Sequence, residues 1–173
     1  MDVREMLVDG VQQLNDWMLQ ALEGLTPEQV NWLPPGNTTS IGFSAWHVWR
    51  TTDNIVNFVL QNRKPTIWLE KGYCDRLGLP KVEQGTGMSI EDARALTITD
   101  PGLLCEYGRE VGAAAIEYIK NVPLEELDEV QLIRPLGEMS RGKVLRQVVM
   151  THGFMHLGEI NLIKGALGMK FGI

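Results

Sequence analysis

Apolar residues recur every three or four positions over most of the chain, which is the period of an amphipathic α-helix. The first apolar stripe extends from Val3 to Leu25 and predicts a helix of about six turns. Further stripes predict a second helix from about Ile41 to Gln61, a third from Asp100 to about Asn121 and a fourth from Ser140 to about Gly165. The alternating pattern of a strand is convincing nowhere. The sequence therefore predicts an all-α protein, a four-helix bundle.

Polar caps and prolines mark the starts of several predicted helices. The run Thr26-Pro27-Glu28-Gln29 has the pattern of a capping box with proline at the first position, and it opens a short helix that ends before Pro34-Pro35-Gly36. Asp100 followed by Pro101 is a similar start for the third long helix, and Ser140 is a candidate cap for the fourth. These signals place the helix boundaries independently of the apolar stripes.

The third helix carries small residues near one side, Gly108, Gly112 and Ala115. Such residues allow a neighbouring helix to approach closely. Ordinary local packing is the preferred interpretation.

Residues 62–99 form a long crossover connection between the second and third helices and are the least regular part of the chain. Repeated glycines and prolines interrupt this segment, yet it is long for a plain loop. We therefore expect short helical pieces, one beginning near Ser89, packed against the bundle and bordering a site. No repeat, low-complexity tract or domain boundary divides the sequence, so residues 1–173 are predicted to form a single domain.

Composition narrows the class of protein. A formal net charge of −6, with 44% hydrophobic and 22% charged residues, is typical of a soluble globular protein. Basic residues are scattered among acids, which argues against nucleic acid as a partner. No apolar run approaches the roughly 20 residues that cross a bilayer. Two cysteines and a start without a secretory pattern predict a reduced, cytoplasmic setting.

The two cysteines, Cys74 and Cys105, are weak candidates for a nucleophile. Cys105 lies in the first turn of the third helix, where the helix dipole could lower the pKa of its thiol. A buried, inert cysteine is the preferred interpretation of both.

The chain contains three histidines, and two of them lie four residues apart. His152 and His156 belong to the fourth helix, where this spacing places both side chains on one face, one turn apart. They share that face with apolar positions and are therefore expected to face the core. Buried imidazoles need partners for their nitrogens, and a metal ion would serve both.

The third histidine, His47, lies on the second helix with Ser44, Thr51 and Asn54 on its side. This polar line predicts one wall of an internal pocket. Joining it to the histidine pair gives a three-histidine site between two helices, and three protein ligands leave a position open for water or substrate. Core histidines satisfied by hydrogen bonds, or an exposed pair, remain the alternatives.

The sequence does not match three familiar metal-binding motifs. Position 153 is glycine, so the fourth helix lacks the glutamate that serves as the base in zinc-protease helices. There is no paired Glu-x-x-His set of a di-iron bundle and no cysteine pair with zinc-ribbon spacing.

Other side chains near the histidines are candidates for the chemistry. Glu159 could accept an N–H from a ligand histidine or move a proton for bound water, or else pair with a cation at the bundle rim. Arg50 is placed to hold an anionic substrate at a pocket mouth, with a solvated surface arginine as the alternative; Thr51 and Asn54 complete the candidate pocket. Asp53 lies off the His47 face and is expected to form a surface or inter-helix ion pair.

Two segments resemble the DinB-like superfamily of damage-inducible helical-bundle proteins, which is unrelated to the DNA polymerase of the same name. The pattern His152-x-x-x-His156-x-Gly158-Glu159-Ile160 is similar to the family's last helix. The segment 41–53, which contains His47, resembles its second helix, and the segment 67–80 is similar to members with a long second connection.

The resemblance implies a four-helix bundle, usually dimeric, with a divalent ion bound by His47, His152 and His156. Zinc or nickel is the typical metal in the family. Relatives include metal-dependent transferases and isomerases that use low-molecular-weight thiols such as bacillithiol or mycothiol, and others are assigned as hydrolases. Glu159 stands where many relatives carry glutamine, which adds a charge near the metal.

Two functional hypotheses follow. The first is a metal-dependent enzyme for a small-molecule substrate, in which the ion activates a water, as in a hydrolase, or a thiol, as in an S-transferase. The second is a non-catalytic dimeric bundle that binds a metal or a ligand, with a role in stress or sensing.

Overall fold

The computed structural model describes residues 2–170, and most of them are helical. The predicted domain 1–173 thus extends beyond the described part at Met1 and at residues 171–173. The regular elements, in chain order, are α1 (Val3–Leu22), α2 (Pro27–Val30), α3 (Ile41–Asp53), α4 (Ile67–Glu70), α5 (Tyr73–Leu77), α6 (Ile90–Ala95), α7 (Pro101–Asn121), β1 (Val130–Ile133), β2 (Gly137–Ser140), α8 (Arg141–Val144) and α9 (His152–Ala166).

Four long helical units form the bundle that the apolar stripes predict. α1 packs against α7 and α9, and α3 packs against the same two helices. Every residue of α3 is buried, so this helix lies at the centre of the molecule. Its aromatic side chains Phe43, Trp46 and Trp49 belong to the larger apolar core. The side chains of α3 are therefore packed against other parts of the protein around the whole helix.

Two of the long helical units include π-helical turns. A π segment, Asn54–Val59, continues α3, and a second, Leu145–Thr151, joins α8 to α9. The second ends immediately before His152, and the Thr151 hydroxyl donates to the carbonyl of Arg146 at 2.9 Å. π turns shift the faces of a helix and often occur at functional sites.

The predicted caps are confirmed. Thr26 and Gln29 form the reciprocal capping box, with the Thr26 amide donating to the Gln29 side chain at 2.9 Å and the Gln29 amide donating to the Thr26 hydroxyl at 3.3 Å. The Asp100 carboxylate accepts from the Leu103 amide at 2.8 Å. Ser89 and Ser140 accept at the starts of α6 and α8 in the same way.

The connection after α3 consists of the short helices α4, α5 and α6, as the sequence predicts. Trp68 and Tyr73 from this connection are fully buried and belong to the larger core. Their rings pack against Tyr107 of α7 at centroid distances of 5.0 and 5.1 Å. The connection is thus anchored to the bundle by aromatic contacts.

Two features differ from the prediction. α1 ends at Leu22 rather than Leu25, followed by Gly24 with a φ of +72°. The all-α fold class is confirmed, but the sequence pattern did not indicate the small antiparallel hairpin of β1 and β2, in which Val130 pairs with Ser140. Strands of four residues are too short for their alternation to stand out in the sequence.

Within residues 2–170, no helix combines the length and the apolar character that crossing a membrane requires.

Candidate metal centre

The fold brings the three histidines together between α3 and α9. The Nε2 atom of His152 lies 3.0 Å from Nε2 of His47 and 3.1 Å from Nε2 of His156. The three rings meet edge to face, with centroid distances between 4.6 and 4.9 Å. The i,i+4 pair and the histidine of the second long helix thus form one cluster, as the sequence predicts.

Hydrogen bonds on the far side of two rings fix which nitrogen carries the proton. Nδ1 of His47 donates to the backbone carbonyl of Gln84, and Nδ1 of His156 donates to the Glu159 carboxylate at 2.6 Å. Because a carbonyl and a carboxylate only accept, each neutral ring has its proton on Nδ1 and a lone pair on Nε2. Both lone pairs face His152.

This arrangement fits a divalent metal ion. The single proton of a neutral His152 could satisfy only one of the two neighbouring lone pairs, so at least one Nε2 atom keeps a lone pair that is free to bind a cation. Zinc–nitrogen bonds of about 2.0–2.1 Å in a tetrahedral site place the nitrogens about 3.3 Å apart, close to the observed separations. The ligand atoms of the three histidines all lie within 4.8 Å of one another.

Burial sets the electrostatics of the cluster. It lowers the pKa of His152 to about 4, and the neighbouring imidazoles act in the same direction. Burial also lowers the pKa of His47, although the Gln84 carbonyl acts in the opposite direction. The hydrogen bond from His156 lowers the pKa of Glu159. His47 and His152 therefore offer neutral imidazoles beside the ionised Glu159 carboxylate, which favours the binding of a cation.

The cluster lies at the edge of the core rather than inside it. His47 is 8% exposed, whereas His152 and His156 are only partly buried. The expectation that the pair faces the core is thus met only in part. One side of the cluster remains accessible.

The side chains predicted to line a pocket have different surroundings. Arg50 is 3% exposed, and its guanidinium donates to the carbonyls of Val82 and Glu83 at 3.3 and 3.4 Å. It is therefore not a solvated surface arginine. The Thr51 hydroxyl is buried without a hydrogen-bond partner, and Asn54 lines a large cavity.

That cavity has a volume of about 1200 Å³ and lies beside the crossover connection. Its wall includes Gln84 and Gly85, which contact His47 from the other side. None of the three histidines lines it. The cavity and the histidine cluster are thus neighbours separated by one segment of chain.

The expectation of a surface or inter-helix ion pair for Asp53 is wrong. Asp53 is fully buried, and its carboxylate lies 4.0 Å from the Arg50 guanidinium on the same helix. It also accepts from the amides of Ile67 and Trp68 at 3.0 and 2.9 Å and from the Tyr107 hydroxyl at 2.8 Å. Asp53 thus caps α4 and joins it to α3 and α7.

Both cysteines are buried and free, as predicted. Burial raises the pKa of the Cys105 thiol, so the suggested lowering by the helix dipole does not prevail. A protonated, buried thiol is a poor nucleophile.

Sequence reasoning missed the partners of the His47 ring. Besides Gln84, the Phe43 ring stacks on it, with centroids 5.9 Å apart and planes 14° from parallel. Phe43 lies four residues before His47 on the same helix face, and that spacing was available as a signal. No sequence signal could have identified the Gln84 carbonyl as a partner, because every residue carries a backbone carbonyl.

The chain belongs to the DinB superfamily, whose family model matches residues 11–160. A search of the curated proteins finds no match. Among solved structures, the chain is similar to a conserved protein from Enterococcus faecalis, with a TM-score of 0.80 and 18% identity over 95% of this chain and 99% of that one. At this identity the likeness shows the fold alone.

Proposed function

We propose that the protein is a metal-dependent enzyme whose divalent ion is held by His47, His152 and His156. The observation that carries the proposal is the convergence of their Nε2 atoms at 3.0–3.1 Å, with Nδ1 of His47 and of His156 occupied as a donor. Three protein ligands leave a position open, which is the arrangement of catalytic rather than structural sites. The partial exposure of His152 and His156 supports access to that position.

The ion would supply Lewis acidity, which lowers the pKa of a bound water or thiol. In this proposal, Glu159 orients His156 through its 2.6 Å hydrogen bond and also receives the proton that the water or thiol gives up. Its side chain is 53% exposed, so the proton can pass on to solvent. Asn54 contributes a polar group to the neighbouring cavity, whereas the buried Thr51 hydroxyl does not line it.

The finer assignments are proposals that rest on the resemblance to relatives. The metal is zinc or nickel, and the activated group is a water in a hydrolase or a low-molecular-weight thiol in an S-transferase. The substrate is a small molecule and not a nucleic acid, consistent with the net charge of −6. We further propose a homodimer of single-domain chains with a cytoplasmic location.

The test compares metal-free protein with protein reloaded with zinc or nickel in assays for ester hydrolysis and for thiol transfer. We expect turnover only in the loaded protein. Glu159→Gln should lower turnover about 100-fold or more while the metal stays bound, as expected for loss of a proton-transfer group. Glu125→Gln, at an exposed glutamate of the 3₁₀ segment Leu124–Asp128, is the matched control. Equal turnover with and without metal would refute the proposal.

A non-catalytic binding protein is the second candidate. It is favoured by the position of the large cavity, which none of the three histidines lines. Stoichiometric metal without turnover in either assay would support this candidate over the enzyme.

A further inference from the structure

The segment Gln84–Gly85 covers one face of the metal centre. It belongs to the crossover connection between α5 and α6, and it lies against α3 at the position of His47. A Cβ atom at position 85 would stand 2.7 Å from Nδ1 of His47 and 3.1 Å from Cζ of Phe43. Only a residue without a side chain allows the backbone to come this close.

The close approach has a consequence for the ring. The Gln84 carbonyl accepts from Nδ1 of His47, while Phe43 stacks on the ring and His152 meets it edge to face. The carbonyl fixes the proton on Nδ1, and the stacked Phe43 fixes the ring plane. Nε2 of His47 is thereby left as a bare lone pair directed at His152.

We infer that Gln84 and Gly85 form a positioning element of the metal centre: Gly85 lets the Gln84 carbonyl reach His47, and that carbonyl holds His47 in the tautomer and orientation that bind metal. This inference rests on the proposed metal centre. Partners of this kind, bonded to the outer nitrogen of a ligand histidine, typically contribute 10- to 100-fold to metal affinity.

The same segment is part of the wall of the 1200 Å³ cavity. A molecule in the cavity would therefore touch the backbone that orients His47. Gln84 and Gly85 therefore contact both the cavity and His47, the proposed metal ligand.

Gly85→Ala tests the inference, and Gly87→Ala is its matched control. Both glycines have a positive φ, +93° and +76°, and both line the cavity. A Cβ atom at position 87 meets no atom within 4 Å, whereas one at position 85 meets His47. Backbone strain is therefore common to the two variants, and only Gly85→Ala displaces the carbonyl.

Two readouts are needed. In zinc competition with a chromogenic chelator, Gly85→Ala should bind about 10- to 100-fold more weakly than wild type, and Gly87→Ala should bind like wild type. In ¹⁵N NMR of the metal-free wild type, His47 should carry its proton on Nδ1, and Gly85→Ala should shift the proton towards Nε2.

Equal zinc affinity in the two variants, or a wild-type His47 protonated on Nε2, would overturn the inference. The tautomer is read from the wild type alone, so it decides the matter even if Gly85→Ala does not fold. Wild-type protein that binds neither zinc nor nickel would overturn the inference and the proposed metal enzyme together. Zinc binding without turnover would refute only the enzyme.

Discussion

Protonation of the imidazoles competes with the metal at the proposed centre. Free histidine has a pKa of about 6.5, whereas burial lowers the pKa of His152 to about 4 and also lowers that of His47. These rings therefore stay neutral as the pH falls below 6.5, and they lose their lone pairs only in more acidic solution.

We predict that zinc affinity is nearly constant above about pH 6.5 and falls as the pH drops towards about 4, because each proton that binds His47 or His152 removes a ligand. Chelator competition at several pH values, corrected for the protonation of the chelator, measures this directly. Zinc affinity that is the same at about pH 4 as at about pH 7 would argue against histidine ligands.

Asp53 is the buried anion that links α3, α4 and α7. We predict that Asp53→Ala lowers the free energy of unfolding by about 3–5 kcal/mol, because it leaves the buried Arg50 guanidinium without its counter-charge and two amides of α4 without an acceptor. Urea denaturation followed by circular dichroism gives the value.

Asp75→Ala is the control for this substitution. Asp75 pairs with Lys81 at 3.1 Å, but both side chains are mostly exposed, so the loss should be at most about 1 kcal/mol. Equal losses in the two variants would show that the Asp53 network contributes no more than a surface pair.

Elements whose boundaries depend on local chemistry could be predicted from the sequence. The capping box at Thr26 and Gln29 and the Asp100 cap use side chains next to the amides they satisfy, so a few residues contain the whole signal. The signal from the i,i+4 spacing of His152 and His156 is likewise contained within a few neighbouring residues. The order of the long helices follows from such signals together with the apolar stripes.

Features set by tertiary contacts could not be predicted in this way. The cap of α4 comes from Asp53, fourteen and fifteen positions before Ile67 and Trp68, while Thr66 at the N-cap position makes no side-chain bond. Sequence reasoning placed Asp53 outside the core because it lies six positions after His47 and off that face of the helix.

Small residues on α7 determine how closely α1 and α3 approach it. A Cβ atom at Gly108 would lie 2.3 Å from the Trp49 ring of α3, and one at Gly112 would lie 2.2 Å from Asn15 of α1. The Trp49 indole N–H also donates to the Asn15 side chain at 3.0 Å. Close helix approach is thus confirmed at these two glycines.

We predict that Gly108→Ala lowers the free energy of unfolding by about 1–3 kcal/mol, since the buried Trp49 ring has no room to move. Gly158→Ala is the control, because a Cβ atom there meets nothing within 4 Å and alanine favours a helix by up to about 1 kcal/mol. Urea denaturation of both variants measures the two changes in the free energy of unfolding. A neutral or stabilising Gly108→Ala would contradict the packing described here.

At the scale of the whole molecule, the proposed metal links parts of the chain that are far apart in sequence. His47 and His152 are separated by 105 positions and lie on α3 and α9. An ion bound by both therefore favours the folded bundle over the unfolded chain, in which the cluster does not exist.

We predict that zinc at about 100 times its dissociation constant raises the free energy of unfolding of wild type by about 2.7 kcal/mol. The metal-free and zinc-loaded proteins are compared in urea, with His152→Ala as the variant that should show no increase. An increase of equal size in His152→Ala would place the binding site elsewhere.

The most direct test is elemental analysis of protein purified without a histidine tag, for wild type and for His152→Ala. The account predicts about one divalent ion per wild-type chain, lost in the variant while its helical circular dichroism persists. Wild type that holds no metal, even after incubation with zinc, nickel and manganese, would contradict it, and the three histidines would then be ordinary side chains of a helical bundle.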